Sequence, residues 1–220
     1  MSKSTIVFCV MPEDSSLAFL IPVFDQLQKH FAARKILPNM ESYLQTINEI
    51  RELPSGSIIF FLGHGASHCL YGACNEQFER MPFIDKTNID VLTGKNVFAL
   101  SCRSSEFLYN NRLKLNSFIG FGNLPTDWND VFAERDFGDT NYLRDLDEES
   151  INYFRDSLTK IILSSLNLDI GKSTNFRTWY LYLRLLINKE ITSLLLEKSI
   201  PNYRGLSNLW FETKHEIRLC

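Results

Sequence analysis

Two side chains have the type and the setting for nucleophilic chemistry. His64 closes the run Ile58-Ile-Phe-Phe-Leu-Gly-His-Gly65, where an unbroken apolar stretch stops at a glycine. Cys102 closes a second run, Asn96-Val-Phe-Ala-Leu-Ser-Cys102. Short continuous apolar segments bounded by turn residues read as strands buried on both faces of a sheet. Each strand then delivers one reactive group at its carboxyl end, where the loops of open α/β sheets carry function. A thiol attacks carbonyl carbon as thiolate, and a free cysteine of pKa about 8.5 is mostly protonated at neutral pH. An imidazole beside it supplies the missing base. If the strands are neighbours, a spacing of ~4.8 Å brings ring and sulfur within reach.

Other residues fit around this dyad. A helix predicted from Ser104 would favour negative charge on Cys102 by roughly 0.3–1 kcal/mol through its unpaired amides. Gly63 and Gly65 predict a sharp backbone turn and a close substrate approach at His64. The amides of Gly65 and Cys102 are candidate oxyanion donors, each worth ~10²–10³ in rate. Asp127 and Asp130 are candidate substrate-binding acids for a basic side chain, and Arg103 is a candidate for an acidic one. The bland alternatives are a turn histidine, an inert buried thiol and solvated loop charges. Singly those hold; the pairing of His64 and Cys102 at two strand ends favours the dyad. The spacing of His64, His68, Cys69 and Cys74 matches no zinc-finger pattern, so no metal is expected, and His68 and Cys69 are expected to line the mouth of the site or to be solvated. His30 and His215 read as surface residues.

The elements that must position these groups alternate along the chain. Thr5 to Val10 predicts a central strand. A helix is expected from Pro22 to about Lys35, since proline suits a first turn. Met40, Tyr43, Leu44, Ile47 and Ile50 repeat at helical spacing. With the strand at 58–62 this gives strand, helix, helix, strand, the start of a parallel crossover. Residues 66–82 show little periodicity. A short helix is expected at 88–92, ended by Gly94, then the strand to Ser101, a helix at 104–110 and a strand at 117–122. Residues 123–145 read as a long loop. Asp147 caps a helix buried through Ile151, Phe154, Leu158, Ile161, Ile162 and Leu166. A long apolar helix follows at 178–198, and Leu209 to Thr213 predicts a late strand closing the sheet.

The whole is 220 residues, 45% hydrophobic and 22% charged, with net charge −3. That is the composition of a soluble globular domain, and it offers no basic footprint for nucleic acid or anionic membrane. The apolar stretch from Trp179 to Leu196 is broken by Arg184, Lys189 and Glu190, which argues against a membrane span. The expectation is one cytoplasmic α/β domain over 1–220 with a helical carboxyl-terminal part. Its five cysteines are then thiols rather than a disulfide framework.

Phe60-Phe-Leu-Gly-His-Gly65 and Phe98-Ala-Leu-Ser-Cys102 resemble the caspase-like cysteine peptidases, the group that includes caspases, gingipains, separases and bacterial CHAT proteins. Ser117-Phe-Ile-Gly-Phe-Gly122 is similar to the next strand of CHAT domains. The likeness covers about residues 5–167. It implies a caspase-like, mostly parallel central sheet flanked by helices in three α/β/α layers. It also implies a Cys/His endopeptidase without a cofactor, with Cys102 as nucleophile and His64 moving protons or polarising the scissile carbonyl. A protein substrate, an activating partner protein and a role in regulated antiviral defence or death pathways are further implications. Leu100-Ser-Cys-Arg-Ser104 departs from the caspase signature Gln-Ala-Cys-(Arg/Gln/Gly)-Gly, so the resemblance points to CHAT-type relatives rather than to caspase specificity for Asp. The alternatives are a non-catalytic pseudopeptidase that docks a partner, and a thiol-dependent acyl transferase or hydrolase with the same dyad.

Overall fold

The computed structural model describes residues 5–129, 131–132, 142–166 and 175–220. Its centre is a six-stranded sheet built from β1 (Val7–Pro12), β2 (Ala32–Ile36), β3 (Ile58–Leu62), β7 (Asn96–Leu100), β8 (Ser117–Gly120) and β9 (Arg218–Leu219). Their order across the sheet is β2-β1-β3-β7-β8-β9. The first five run parallel, and β9 pairs antiparallel with β8. A second, antiparallel sheet of β4 (Gly65–Ala66), β5 (Cys69–Tyr71) and β6 (Pro82–Asp85) grows from the carboxyl end of β3. The helices include α1 (Ile21–Gln28), α2 (Met40–Glu52), α3 (Ser104–Asn110), α4 (Glu148–Ser165), α5 (Phe176–Glu197) and α6 (Tyr203–Glu216), with 3-10 turns at Ser15–Leu20 and Ile89–Leu92.

Strand alternation sorts the core into two halves. Cys9, Phe60, Leu62, Phe98 and Leu100 point to one face, where they meet α1, α4, α5 and α6. Phe8, Val10, Ile59, Phe61, Val97 and Ala99 point to the other, against α2, α3 and the small sheet. Strands buried on both faces need apolar residues at every position, which is why these runs are continuous rather than alternating. The result is a mixed α/β fold with helices on both faces of a mostly parallel sheet. Trp179 of α5 locks one face, fully buried and stacked on Phe98 at 4.3 Å.

Two expectations are corrected. The helix predicted to Lys35 ends at Gln28, and Ala32–Ile36 is an edge strand paired from Phe8↔Ala32 to Pro12↔Ile36. Ala-Ala-Arg-Lys are good helix formers, but pairing with β1 outweighs that propensity. Arg34 pairs with Glu49 of α2 and Lys35 lies over Phe24, so the exposed edge carries charge, which discourages further strand pairing. The late strand predicted at 209–213 lies inside α6, and the strand that closes the sheet is the shorter β9. Among the buried residues there, Leu206, Leu209, Trp210 and Thr213 follow spacings of 3, 1 and 3, which is a helical stripe.

Candidate active site at the carboxyl end of the sheet

β3 and β7 are adjacent and pair residue for residue from Ile58↔Asn96 to Leu62↔Leu100. The Gly63 amide continues the ladder, donating to the Leu100 carbonyl at 3.1 Å. Two residues beyond the last pair, each strand reaches its reactive side chain, so His64 and Cys102 leave the sheet at the same level. Both line one cleft, with Leu17, Phe19 and Leu20 of the first 3-10 turn and Thr126 among its walls. Its free volume is about 20 Å³, room for roughly one water molecule.

The glycines act by size, not by torsion. The glycines with positive φ among the described residues are Gly56 and Gly94, so the sharp turn expected from Gly63 and Gly65 is not a left-handed one. A Cβ on Gly65 would lie 2.7 Å from Ser101 Oγ and 2.8 Å from the Cys102 carbonyl oxygen. Gly65 is thus where the backbone after β3 passes directly against the segment carrying Cys102.

Cys102 is partly buried, and its thiol donates to the Leu124 carbonyl at 3.2 Å. The turn that presents it is fixed from behind. The Ser104 hydroxyl lies 2.7 Å from the Ala99 carbonyl and 2.9 Å from that of Ser101, and it accepts from the Phe121 amide at 2.9 Å. Arg103, at φ 55°, makes the left-handed bend into α3, and its amide donates to the Gly122 carbonyl at 2.7 Å. A left-handed residue other than glycine costs roughly 1–2 kcal/mol, which the surrounding bonds must offset.

His64 has a denser environment, and most of it escaped sequence reasoning. Its Nε2 lies 2.8 Å from Ser16 Oγ and 3.4 Å from Asp14 Oδ2. The Asp14 side chain is only 5% exposed. Its Oδ1 accepts from the Ser16 amide at 2.9 Å and the Ser16 hydroxyl at 2.7 Å. Its Oδ2 accepts from the Cys74 thiol at 3.0 Å and from Arg80 Nη2 at 2.8 Å. Burial alone would raise the Asp14 pKa, but the bonds from Cys74, Ser16 and Arg80 outweigh it and hold the carboxylate well below its usual range. His64 moves the other way for a basic group. Burial, then the Arg80 charge, lowers its pKa to about 4 against the opposing pull of Asp14 and Asp127. The imidazole is therefore neutral at pH 7. The available sequence signal was Asp14-Ser-Ser, an N-cap motif following the first strand; nothing in the sequence alone tied it to a residue fifty positions away.

The remaining candidates fall outside the cleft. The Arg103 side chain is 55% exposed and pairs with Glu106 of its own helix at 3.3 Å. Asp127 accepts from the Asn129 amide and lines a neighbouring cleft with Ser15, Phe19, Thr126, Arg155 and Asp156. Asp130 lies outside the described residues. Cys69, expected at the mouth of the site or in solvent, is instead fully buried in β5, while His68 is exposed. Among the described residues no cluster of three or more His, Cys, Asp or Glu is placed to hold a metal ion. No described helix is long and apolar enough to cross a membrane. No protein-family model and no curated protein matches the chain.

Proposed function

We propose that this protein is a cysteine endopeptidase of the caspase-like kind, with His64 and Cys102 as its dyad and a protein as its substrate. The observation that carries the reading is the in-register pairing of β3 with β7, which sets both residues at neighbouring strand ends in one cleft. In the reaction, neutral His64 takes the proton of Cys102 as sulfur attacks the scissile carbonyl. The amides of Gly65 and Cys102 receive the developing oxyanion. His64 then protonates the leaving amine, a thioester remains on Cys102, and water activated by His64 hydrolyses it. No cofactor takes part. An activating partner and a place in regulated defence or death pathways remain implications of the resemblance.

A second reading, a non-catalytic docking module on the same fold, is favoured by the size of the cleft. Space for about one water does not admit a peptide unless the turn at 15–20 or the segment around Leu124 and Thr126 gives way.

A peptide-library digest separates the two. Cys102→Ala and His64→Ala are each expected to lower cleavage by 10³-fold or more, with circular dichroism and melting cooperativity retained. Cleavage that survives Cys102→Ala contradicts the peptidase reading.

A further inference from the structure

The bonds around Asp14 allow the tautomer of His64 to be deduced by counting protons. An ionised carboxylate only accepts, at about four lone-pair sites. Asp14 receives four donors from protein: the Ser16 amide, the Ser16 hydroxyl, the Cys74 thiol and the Arg80 guanidinium. Ser16 has one hydroxyl proton, and at 2.7 Å from Asp14 Oδ1 that proton is already given. Toward His64, 2.8 Å away, the Ser16 oxygen has only a lone pair to offer. Asp14 Oδ2, at 3.4 Å, likewise presents only lone pairs. Nε2 thus faces the Ser16 oxygen, which can only accept, and a carboxylate that cannot donate, so it must carry the ring proton.

We infer that Asp14 and Ser16 are positioning residues that hold His64 as its Nε2–H tautomer, leaving Nδ1 as the ring nitrogen that takes the proton from Cys102. The catalytic meaning rests on the peptidase reading given above; the tautomer itself does not. Asp14 and Ser16 act through His64, and neither is assigned a contact with substrate. The segment does two jobs at once. Asp14 caps the 3-10 turn through the Ser16 amide, and that turn carries Leu17, Phe19 and Leu20 over the cleft. The ring is oriented by the same residues that close one wall. Arg80 and Cys74, in the connection between β5 and β6, add the remaining donors, so two chain segments meet on one buried carboxylate.

Besides burial, the groups that set His64's protonation are Arg80 between β5 and β6, Asp14 after β1 and Asp127 after β8, while Cys102 at the end of β7 lines the same cleft. Asp14→Asn keeps the shape but introduces an amide donor. That amide, or the Ser16 hydroxyl it frees, then donates to Nε2 and moves the proton to Nδ1, where it blocks the base.

The test is ¹⁵N long-range NMR of the histidine ring nitrogens at pH 7, with His64→Gln to assign the signals. The expected result is protonated Nε2 and bare Nδ1 in the wild type. Asp14→Asn is expected to show Nδ1–H, with alkylation of Cys102 by iodoacetamide slowed at least about tenfold. Ser16→Thr, which keeps the hydroxyl, is expected to retain the wild-type tautomer and rate. Finding Nδ1–H in the wild type overturns the inference whether or not Asp14→Asn folds. An unchanged tautomer and alkylation rate in folded Asp14→Asn overturn it as well. Loss of the peptidase reading shows elsewhere, as cleavage that survives Cys102→Ala with this tautomer intact.

Discussion

The two halves of the candidate dyad are held in opposite ways. His64 rests in a polar network of a buried carboxylate, a guanidinium, a hydroxyl and a thiol. Cys102 sits among apolar walls, its thiol donates to the Leu124 carbonyl, and the turn behind it is tied by Ser104. A base has to present one nitrogen in one protonation state, which takes fixed partners. A nucleophile has to leave its resting contact to attack, which a weak S–H donor to a carbonyl permits. The contrast teaches that the fixed polar geometry of this candidate site is concentrated around His64.

The largest effect expected from this contrast is on acid stability. His64 has a folded pKa of about 4 against an ordinary 6.5. A lowered folded pKa means that its contribution is fully present above pH 6.5 and is lost as pH falls from 6.5 toward 4. The gap corresponds to about 3 kcal/mol. Asp14, also lowered, contributes above the ordinary carboxylate range and is lost below it. Urea midpoints at pH 7 and pH 4.5 are expected to differ clearly in the wild type and much less in His64→Gln. Equal loss in both would show that the His64 network does not set the acid limit.

Arg80→Ala sharpens the comparison at smaller magnitude. It removes a 2.8 Å bond to the buried Asp14 carboxylate. The guanidinium side is 40% exposed, so the cost is about 1.5 kcal/mol, the low end for a charged hydrogen bond. The same change removes a positive charge that lowers the His64 pKa, so NMR titration is expected to find that pKa raised. A pKa that stays near 4 would assign the shift to burial alone.

Cys102→Ala gives the smallest stability change, about 1 kcal/mol or less, the ordinary cost of losing a hydrogen bond such as the one from its thiol to the Leu124 carbonyl. A loss of several kcal/mol in a urea melt would mean that Cys102 is a structural anchor, and the contrast between the two sides would fail.

Much of this arrangement was legible in the sequence because burial on both faces writes itself as unbroken apolar runs. The runs ending at His64 and Cys102 located two strand ends, and the Asp147 cap and the stripe from Ile151 to Ile162 located α4. The legible part stopped where partners come from distant segments. Asp14 became visible as a partner of His64 only once β1 lay beside β3, since no local pattern links residues 14, 16, 64, 74 and 80. Ala32–Ile36 was misread because its strand character comes from pairing with β1, not from its own side chains. Residues 66–82 showed little periodicity because β4, β5 and β6 are two to four residues long, too short to establish a period.

The central claim is that His64 activates Cys102, and the chain carries its own control in the exposed thiol of Cys220. Limited alkylation with iodoacetamide at pH 7, read by peptide mass spectrometry, compares the two cysteines in one sample. The account predicts that Cys102, though partly buried, reacts faster than Cys220, and that His64→Gln reverses the order. Cys102 reacting more slowly than Cys220 in the wild type, or a ratio that His64→Gln leaves unchanged, would contradict it.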